Sequence, residues 1–403
     1  MHRVDVYSRD ALLIYLAALL RSSAVGLAGV ILAIALTEAG VSVAATGLVI
    51  GCGLAGIAVM TAVVTVAADR VGRRRTLIFV SLLTAVGFIA ATSTARLPLL
   101  IPAAFIGMLN GMGRDRGPAG TLEQAILPET ADATQRTWTL AWYNLTLDCG
   151  HALGGLAAAL PASHRLMFTL CAGSAVISVI PYAALSKRVE LASIPPAAMP
   201  AVEDRETNHA VTKLAALFGI DSLGGGFLSS ALIAYWFFER YGFSERELAM
   251  LFFAARMLNA ASHVGAAWLA KRIGLLNTMV LTHFPSSVLL MAAPAAPSGA
   301  LAAALFLGRE SLVEMDVPTR QSYVMAIVPP HRRTYASGVT NLTRTVGWAV
   351  GPPIAGVVMQ YVVLAAPLFI GGSMKILYDI VLYRSFRHVR PPEERPTPQT
   401  ARL

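Results

Sequence analysis

Twelve predominantly apolar stretches of about twenty residues or more recur along the chain, at 11–36, 43–67, 76–94, 97–127, 138–160, 166–186, 214–238, 247–269, 275–296, 300–328, 335–363 and 365–383. Each can cross a hydrocarbon core of roughly 30 Å. In hydrocarbon every backbone N–H and C=O must be satisfied within the protein, so stretches of this length are expected to be helices. The expected fold class is an all-α membrane protein with twelve transmembrane helices. Composition identifies the same medium: 56% of residues are hydrophobic, 14% are charged, and the mean hydropathy is +0.62. A soluble domain carries about 25% charged residues.

The net charge of +9 is a topology signal. Twenty of the 32 Lys and Arg residues fall on one side of the twelve stretches, among them Arg70, Arg73, Arg74, Arg75, Lys187, Arg188, Lys271 and Arg272. The positive-inside rule makes that side, and both chain ends, cytoplasmic. Nothing in this distribution asks for nucleic acid. Cys52, Cys149 and Cys171 all lie in apolar stretches, which argues against a disulfide framework, and no Cys/His spacing suits a metal. The first stretch is long and contains Arg21, unlike the short core of a cleavable signal peptide, and is expected to remain as the first helix.

The chain is also written twice. Arg136–Ala158 and Arg333–Ala355 coincide without a gap at Arg136/Arg333, Thr137/Thr334, Asn144/Asn341, Leu145/Leu342, Thr146/Thr343, Gly150/Gly347, Ala152/Ala349, Gly154/Gly351 and Ala158/Ala355. Arg70-Val71-Gly72 matches Arg272-Ile273-Gly274, and Asp115 matches Asp316. A repeat of half the chain length is read as architecture. Six helices per copy is an even number, so the copies keep one orientation and form two six-helix pseudo-symmetric bundles. The expected organisation is an N-terminal half at 1–186, a Pro- and charge-rich cytoplasmic linker at 187–213, a C-terminal half at 214–384 and a cytoplasmic tail at 385–403. Small residues four apart, Gly150 with Gly154 and Gly347 with Gly351, suit close helix packing.

The loop after the second stretch, Thr65-Val-Ala-Ala-Asp69-Arg70-Val71-Gly72-Arg73-Arg74, resembles the Gly-x-x-x-Asp-Arg-x-Gly-Arg-Arg signature of major facilitator superfamily transporters, with Thr65 in place of the first Gly. The resemblance implies that Asp69, Arg70, Gly72, Arg73 and Arg74 form a cytoplasmic gate. Carboxylate-to-helix-end contacts and arginine bridges would hold that gate closed. Proton-linked exporters of the family tend to carry Gly-Pro-x-x-Gly-Gly in the fifth helix. Here that helix has Gly150-x-x-x-Gly154-Gly155, without the proline, a departure that weakens the case for an exporter.

A charged side chain at mid-bilayer costs about 2.5–3.5 kcal/mol on insertion scales, so each needs a reason. Arg21 lies in the first stretch; Arg114, Asp115, Arg116 and Glu123 in the fourth; Asp221 in the seventh; Arg309, Glu310, Glu314, Asp316 and Arg320 in the tenth. By the resemblance, these four helices line the central path, which makes all eleven residues candidates for the substrate or proton pathway. Asp148, Arg256, Arg344, Lys375 and Asp379 lie in other stretches. Helical geometry places Arg309, Asp316 and Arg320 on one stripe, with Asp316 and Arg320 able to pair, and stacks Glu310 on Glu314. Asp148 and Arg256 are expected to pair. Gly224–Gly226 and Pro318 are plausible helix breaks. His151, His263 and His283 read as packed histidines, and Tyr235-Trp236-Phe237-Phe238 as an interfacial aromatic belt.

These features point to a secondary active transporter of a small polar or charged solute, monomeric, proton-coupled, working by alternating access, without cofactor or metal, in a bacterial inner membrane. The alternatives are a multidrug exporter using proton antiport and a non-transporting membrane sensor of the same fold. No phosphate-binding loop of the Gly-x-x-x-x-Gly-Lys-Ser/Thr type is present, and no catalytic constellation supports an enzyme.

Overall fold

The computed structural model describes residues 9–115, 117–127, 136–190, 205–327 and 333–389. Among these residues every regular element is helical. In chain order they are α1 (Arg9–Glu38), α2 (Val43–Val71), α3 (Arg73–Ser93), α4 (Leu97–Ile106), α5 (Pro118–Ile126), α6 (Arg136–Ala157), α7 (His164–Ile177) and α8 (Val179–Ala183). There follow α9 (Arg205–Phe227), α10 (Ser230–Tyr241), α11 (Glu245–Ile273), α12 (Leu275–Ala292), α13 (Gly299–Val313), α14 (Asp316–Ile327), α15 (Arg333–Tyr361) and α16 (Ala366–Phe386). Each of the twelve apolar stretches is one helix or a broken pair of helices. Spans 4, 6, 7 and 10 are the pairs α4/α5, α7/α8, α9/α10 and α13/α14. Eight stretches among the described residues are long and apolar enough to cross a membrane by length and composition alone. Val59, Val63 and Val66 on α2 and Leu166, Leu170 and Ile177 on α7 are exposed, as an apolar solvent requires.

Serines start several helices where the pattern leaves the loops. Ser42, Ser163 and Ser298 accept from the backbone N–H groups of Ala45, Leu166 and Leu301, each at 3.3 Å. Gly72 alone separates α2 from α3; its φ of 105° is open to glycine and strained for other residues.

The chain divides into two compact units. The first holds residues 1–199, 228–256 and 349–366. Within it α1 packs along α6 and α7, α2 along α4, and α3 along α7. The approach is backbone to backbone. Methyl groups built at Gly53 and Gly56 of α2 would lie 1.9 and 1.8 Å from the Leu109 and Phe105 carbonyl oxygens. On α6, one at Gly150 would lie 1.9 Å from Ser22 Oγ and one at Gly154 1.9 Å from the Ser23 carbonyl oxygen.

The second unit holds residues 200–227, 257–348 and 367–403. Here α12 packs against α13 and α14. Leu214, Phe218, Met279, Tyr323, Tyr378, Leu382 and Phe386 share a buried core. Gly347 on α15 lies against Leu223 and Gly219 of α9. Gly351 belongs to the first unit and is buried.

Two expectations about local structure are corrected. The break in span 7 falls at Leu228–Ser229, and Gly224–Gly226 are helical; the break in span 10 is at Glu314–Met315, with Pro318 in the first turn of α14. The aromatic run of α10 is no surface belt. Trp236 is 1% exposed and Phe237 fully buried, their rings meeting edge to face at 4.8 Å.

Gly53→Ala is expected to lower thermal stability in detergent by about 1–3 kcal/mol or more, as overpacking does. Gly173→Ala in α7, with nothing within 4 Å, should not lower it, because the added methyl meets no neighbour. A scanning thermal melt of the two variants checks this; equal stabilities would contradict the packing.

Candidate functional site

In the first unit Arg21, Asp115 and Glu123 meet in one buried cluster. Arg21 projects from the middle of α1 and its guanidinium is fully engaged. Nη1 and Nη2 donate to Glu123 Oε1 and Oε2 at 2.8 and 2.7 Å, and Nε donates to Asp115 Oδ2 at 2.5 Å. Tyr182 of α8 donates its hydroxyl proton to Glu123 Oε1 at 2.6 Å, and Tyr143 of α6 to Oε2 at 2.7 Å. A carboxylate offers about four lone-pair sites. All four on Glu123 therefore face donors, in a side chain that is 0% exposed. Asp115 differs: its ion pair with Arg21 runs through a single oxygen, Oδ2.

Asp115 stands at a break in the membrane span. Residues 107–115 and 117 between α4 and α5 are non-helical, and four glycines, Gly107, Gly111, Gly113 and Gly117, punctuate them. Non-helical backbone at membrane depth survives where protein satisfies it. Four successive carbonyls here, Gly111 to Arg114, have donors. Ala231 N–H reaches Gly111 O at 3.2 Å, Ser230 Oγ reaches Met112 O at 2.9 Å, and Arg256 Nη2 reaches Gly113 O at 2.6 Å. Asn110 Nδ2 donates to Arg114 O at 2.8 Å, and the Asp115 N–H donates to His151 Nε2 at 2.9 Å. Gly113 has φ 67° and leaves no room for a side chain against Gly29 and Ser230. His151 is thus buried and packed, as expected, and also fixes the backbone that presents Asp115.

In the second unit Asp221 of α9 is the hub. Its Oδ1 accepts from Lys375 Nζ at 2.7 Å, and its Oδ2 from Arg320 Nη1 at 3.1 Å. Arg320 also pairs with Asp316 at 2.8 Å on α14, the pairing expected from their spacing. His283 of α12 places Nδ1 3.0 Å from both Asp379 oxygens, and Nε2 lies 3.4 Å from Lys375 Nζ. Tyr378 stacks edge-on against His283 at 5.7 Å. Every member is buried.

The remaining candidates are placed as follows. Arg309 contacts Glu310 on α13, and Asn259 Nδ2 donates to Glu310 Oε2 at 2.9 Å. The break at Glu314–Met315 interrupts the stripe expected for Arg309, Asp316 and Arg320, so Arg309 and Asp316 lie on different helices. Glu314 caps α13 and is buried. Arg114 is half-buried within the span 4 break, and Arg116 lies outside the described residues.

At the α2–α3 turn, Glu190 Oε2 and Oε1 accept from the Arg73 and Arg74 N–H groups at 2.6 and 3.2 Å, placing a carboxylate on the N-terminus of α3. Arg74 Nη1 also donates to Leu185 O at 3.4 Å. Arg70 is exposed, Arg73 is buried, and the Asp69 side chain lies outside the described residues. Sequence reasoning did not single out Tyr143, Tyr182, Glu190 or His283 for this chemistry. It noted Lys375 and Asp379 without assigning them, although an intramembrane Lys and Asp four apart is itself a signal.

Twelve apolar helical stretches with ion pairs buried among them define a polytopic membrane protein of the transporter class. The profile of the Major Facilitator Superfamily matches residues 14–309 and 214–402, and the chain belongs to that family. A membrane protein of Saccharomyces cerevisiae described as uncharacterized, YJR124C, is 25% identical, covering 93% of this chain and 93% of its own. Among solved structures, the nucleoside transporter NupG is similar at TM-score 0.72 and 15% identity, over 95% of this chain and 99% of that one. A D-xylose-proton symporter is similar at TM-score 0.73 and 14% identity, over 93% and 97%. A bacterial homolog of the human lysosomal transporter Spinster, inward-facing and occupied, is similar at TM-score 0.73 and 15% identity, over 96% and 98%. At these identities the likeness establishes the fold.

Arg21→Met strands two carboxylates and is expected to cost about 3–5 kcal/mol of stability, while adding Glu123→Leu should recover part of that loss. Thermal unfolding of the single and double variants in detergent reads both. If the double variant loses the sum of the single losses, Arg21 and Glu123 do not act as a pair.

Proposed function

We propose that the chain is a proton-coupled secondary transporter that moves a small polar or charged solute by alternating access. The supporting observation is a buried cation in each unit that is shared by two carboxylates. Arg21 faces both Asp115 and Glu123, Arg320 faces both Asp221 and Asp316, Lys375 faces Asp221, and His283 faces Asp379. A buried, uncompensated anion is several kcal/mol too costly to persist, so the group takes up a proton instead. In the first unit Glu123 has no lone pair to spare, which leaves Asp115 to carry it. An acid that is neutral when protonated and must find a cation when ionised links proton occupancy to the positions of α1 and the span 4 break.

In this reading the rocking bodies are the repeated halves, 1–186 and 214–384, with the linker 187–213 between them; residues 191–204 lie outside the described residues, as do 390–403 of the tail. The α2–α3 turn, Asp69 to Arg74, serves as the cytoplasmic latch, supported by its Glu190 clasp. Both termini are cytoplasmic, and the protein functions as a monomer. A yeast membrane protein similar over most of its length removes the ground for restricting the chain to a bacterial inner membrane. The many charges of both signs favour a polar solute over multidrug efflux.

The test is reconstitution into liposomes with an imposed pH gradient, screening organic anions, amino acids, nucleosides, sugars and cationic drugs. A solute should accumulate in response to the gradient, and Asp115→Asn, which keeps shape and hydrogen bonding, should abolish accumulation while leaving solute exchange and folded yield intact. A protein that moves none of these solutes, and is thermally protected by none, contradicts the transporter reading. Equal loss of folded protein in Asp115→Asn would assign Asp115 to structure alone.

A further inference from the structure

His283 faces two incompatible partners through one ring nitrogen. Its Nδ1 is committed to Asp379, 3.0 Å from both carboxylate oxygens. Its Nε2 lies 3.4 Å from Lys375 Nζ and 3.5 Å from Asp221 Oδ1. A neutral imidazole protonated at Nδ1 presents a lone pair at Nε2, which accepts from the lysine ammonium. An imidazolium presents Nε2–H instead, which donates to Asp221 and repels Lys375. Lys375 and His283 thus compete for Asp221 Oδ1, and the lysine holds it at 2.7 Å in this structure.

We propose that His283 is a proton-binding site whose occupancy decides which cation holds Asp221: Lys375 of α16 when the imidazole is neutral, His283 of α12 when it is protonated. The inference rests on the proton-coupled reading above and assigns a second carrier to it, off the helices that the sequence resemblance marks as the central path.

Two opposed terms make the site a switch rather than a fixed ion pair. With the imidazole neutral, the three carboxylates Asp221, Asp316 and Asp379 exceed the two cations Arg320 and Lys375 by one charge; the proton removes that excess. The same proton places two cations within contact distance and expels the lysine from its present partner. The charged or titratable groups facing the ring are Asp221 from α9, Lys375, Tyr378 and Asp379 from α16, and, one contact further through Asp221, Arg320 and Asp316 from α14. On the ring's own helix Ser286 and Ser287 donate to the His283 carbonyl oxygen at 2.6 and 3.2 Å and leave the imidazole to these partners. Exchange of Lys375 for His283 at Asp221 changes which neighbour α9 is tied to. A proton bound at His283 is thereby converted into a change of helix contact around span 7.

The experiment is a pH titration of the full chain in lipid nanodiscs, read by nitrogen NMR of histidine-labelled protein, with the His283 signal assigned by its loss in His283→Gln. The expected result is a titrating imidazole whose midpoint falls by about one pH unit or more in Asp379→Asn and rises in Lys375→Gln, since an opposite or like charge at this range moves a midpoint by about 1–3 units. An imidazole that keeps one protonation state throughout, or whose midpoint is unmoved by either variant, overturns the inference. The double variant Lys375→Gln/Asp379→Asn removes one charge of each sign, so it keeps the cluster's charge balance should a single variant fail to fold. It should leave a titrating His283 that no longer depends on these neighbours.

A transport arm separates this inference from the reading it rests on. In proteoliposomes His283→Gln should lose gradient-driven accumulation and keep solute exchange. If wild type couples and His283→Gln couples equally, the inference fails and the transporter reading stands. If wild type moves solute without protons, the proton-coupled reading fails, whatever the titration shows.

Discussion

Charge placed in hydrocarbon must be answered from inside the protein, and most of the internal architecture follows from that constraint. Arg21 in the middle of a thirty-residue apolar helix is tolerable because three of its nitrogens have acceptors and because Glu123 has donors on every side. The same requirement governs the backbone. Span 4 can open between α4 and α5 at membrane depth because Ala231, Ser230 and Arg256 supply donors to Gly111, Met112 and Gly113 that a continuous helix would have supplied. The opening in turn presents Asp115 to Arg21 through one oxygen.

The duplication gains content from the clusters. Arg21 of span 1 and Asp221 of span 7 occupy corresponding places, as do Asp115 and Asp316 at the breaks of spans 4 and 10, and Tyr182 and Tyr378 at spans 6 and 12. Each unit joins a buried guanidinium to carboxylates drawn from these spans, but the sign at the first position is reversed: an arginine on α1, an aspartate on α9. The repeat kept the plan of the ion pair and exchanged its ends. Lys375, His283 and Asp379 have no counterparts in the first cluster, and there the second unit acquires a chemistry of its own.

The spans were legible in the sequence because hydrocarbon thickness sets their length, and the intramembrane charges stood out because such charges are rare. What joins those charges was less legible. Tyr143 and Tyr182 look like ordinary aromatic residues in apolar helices, and nothing local says that their hydroxyls meet on Glu123. The span 4 break left a readable trace in Gly107, Gly111, Gly113, Gly117 and Pro118, whereas Gly224–Gly226 carried the same cue and stayed helical, because close packing on Met374 and Trp348 also calls for small residues. The α10 aromatics match an interfacial belt in composition; only tertiary packing reveals Trp236 as core. His283 reads as a packed histidine until Asp379, ninety-six positions away, is placed on its Nδ1.

The central claim is that a carboxyl group of the buried clusters, Asp115 first, keeps a proton at neutral pH. Infrared spectroscopy of the reconstituted protein tests it without any knowledge of the solute, by following the carbonyl stretch of protonated carboxyl groups through a pH titration. The account predicts such a band in wild type at neutral pH, diminished in Asp115→Asn. A wild-type spectrum with no protonated carboxyl at neutral pH would contradict it.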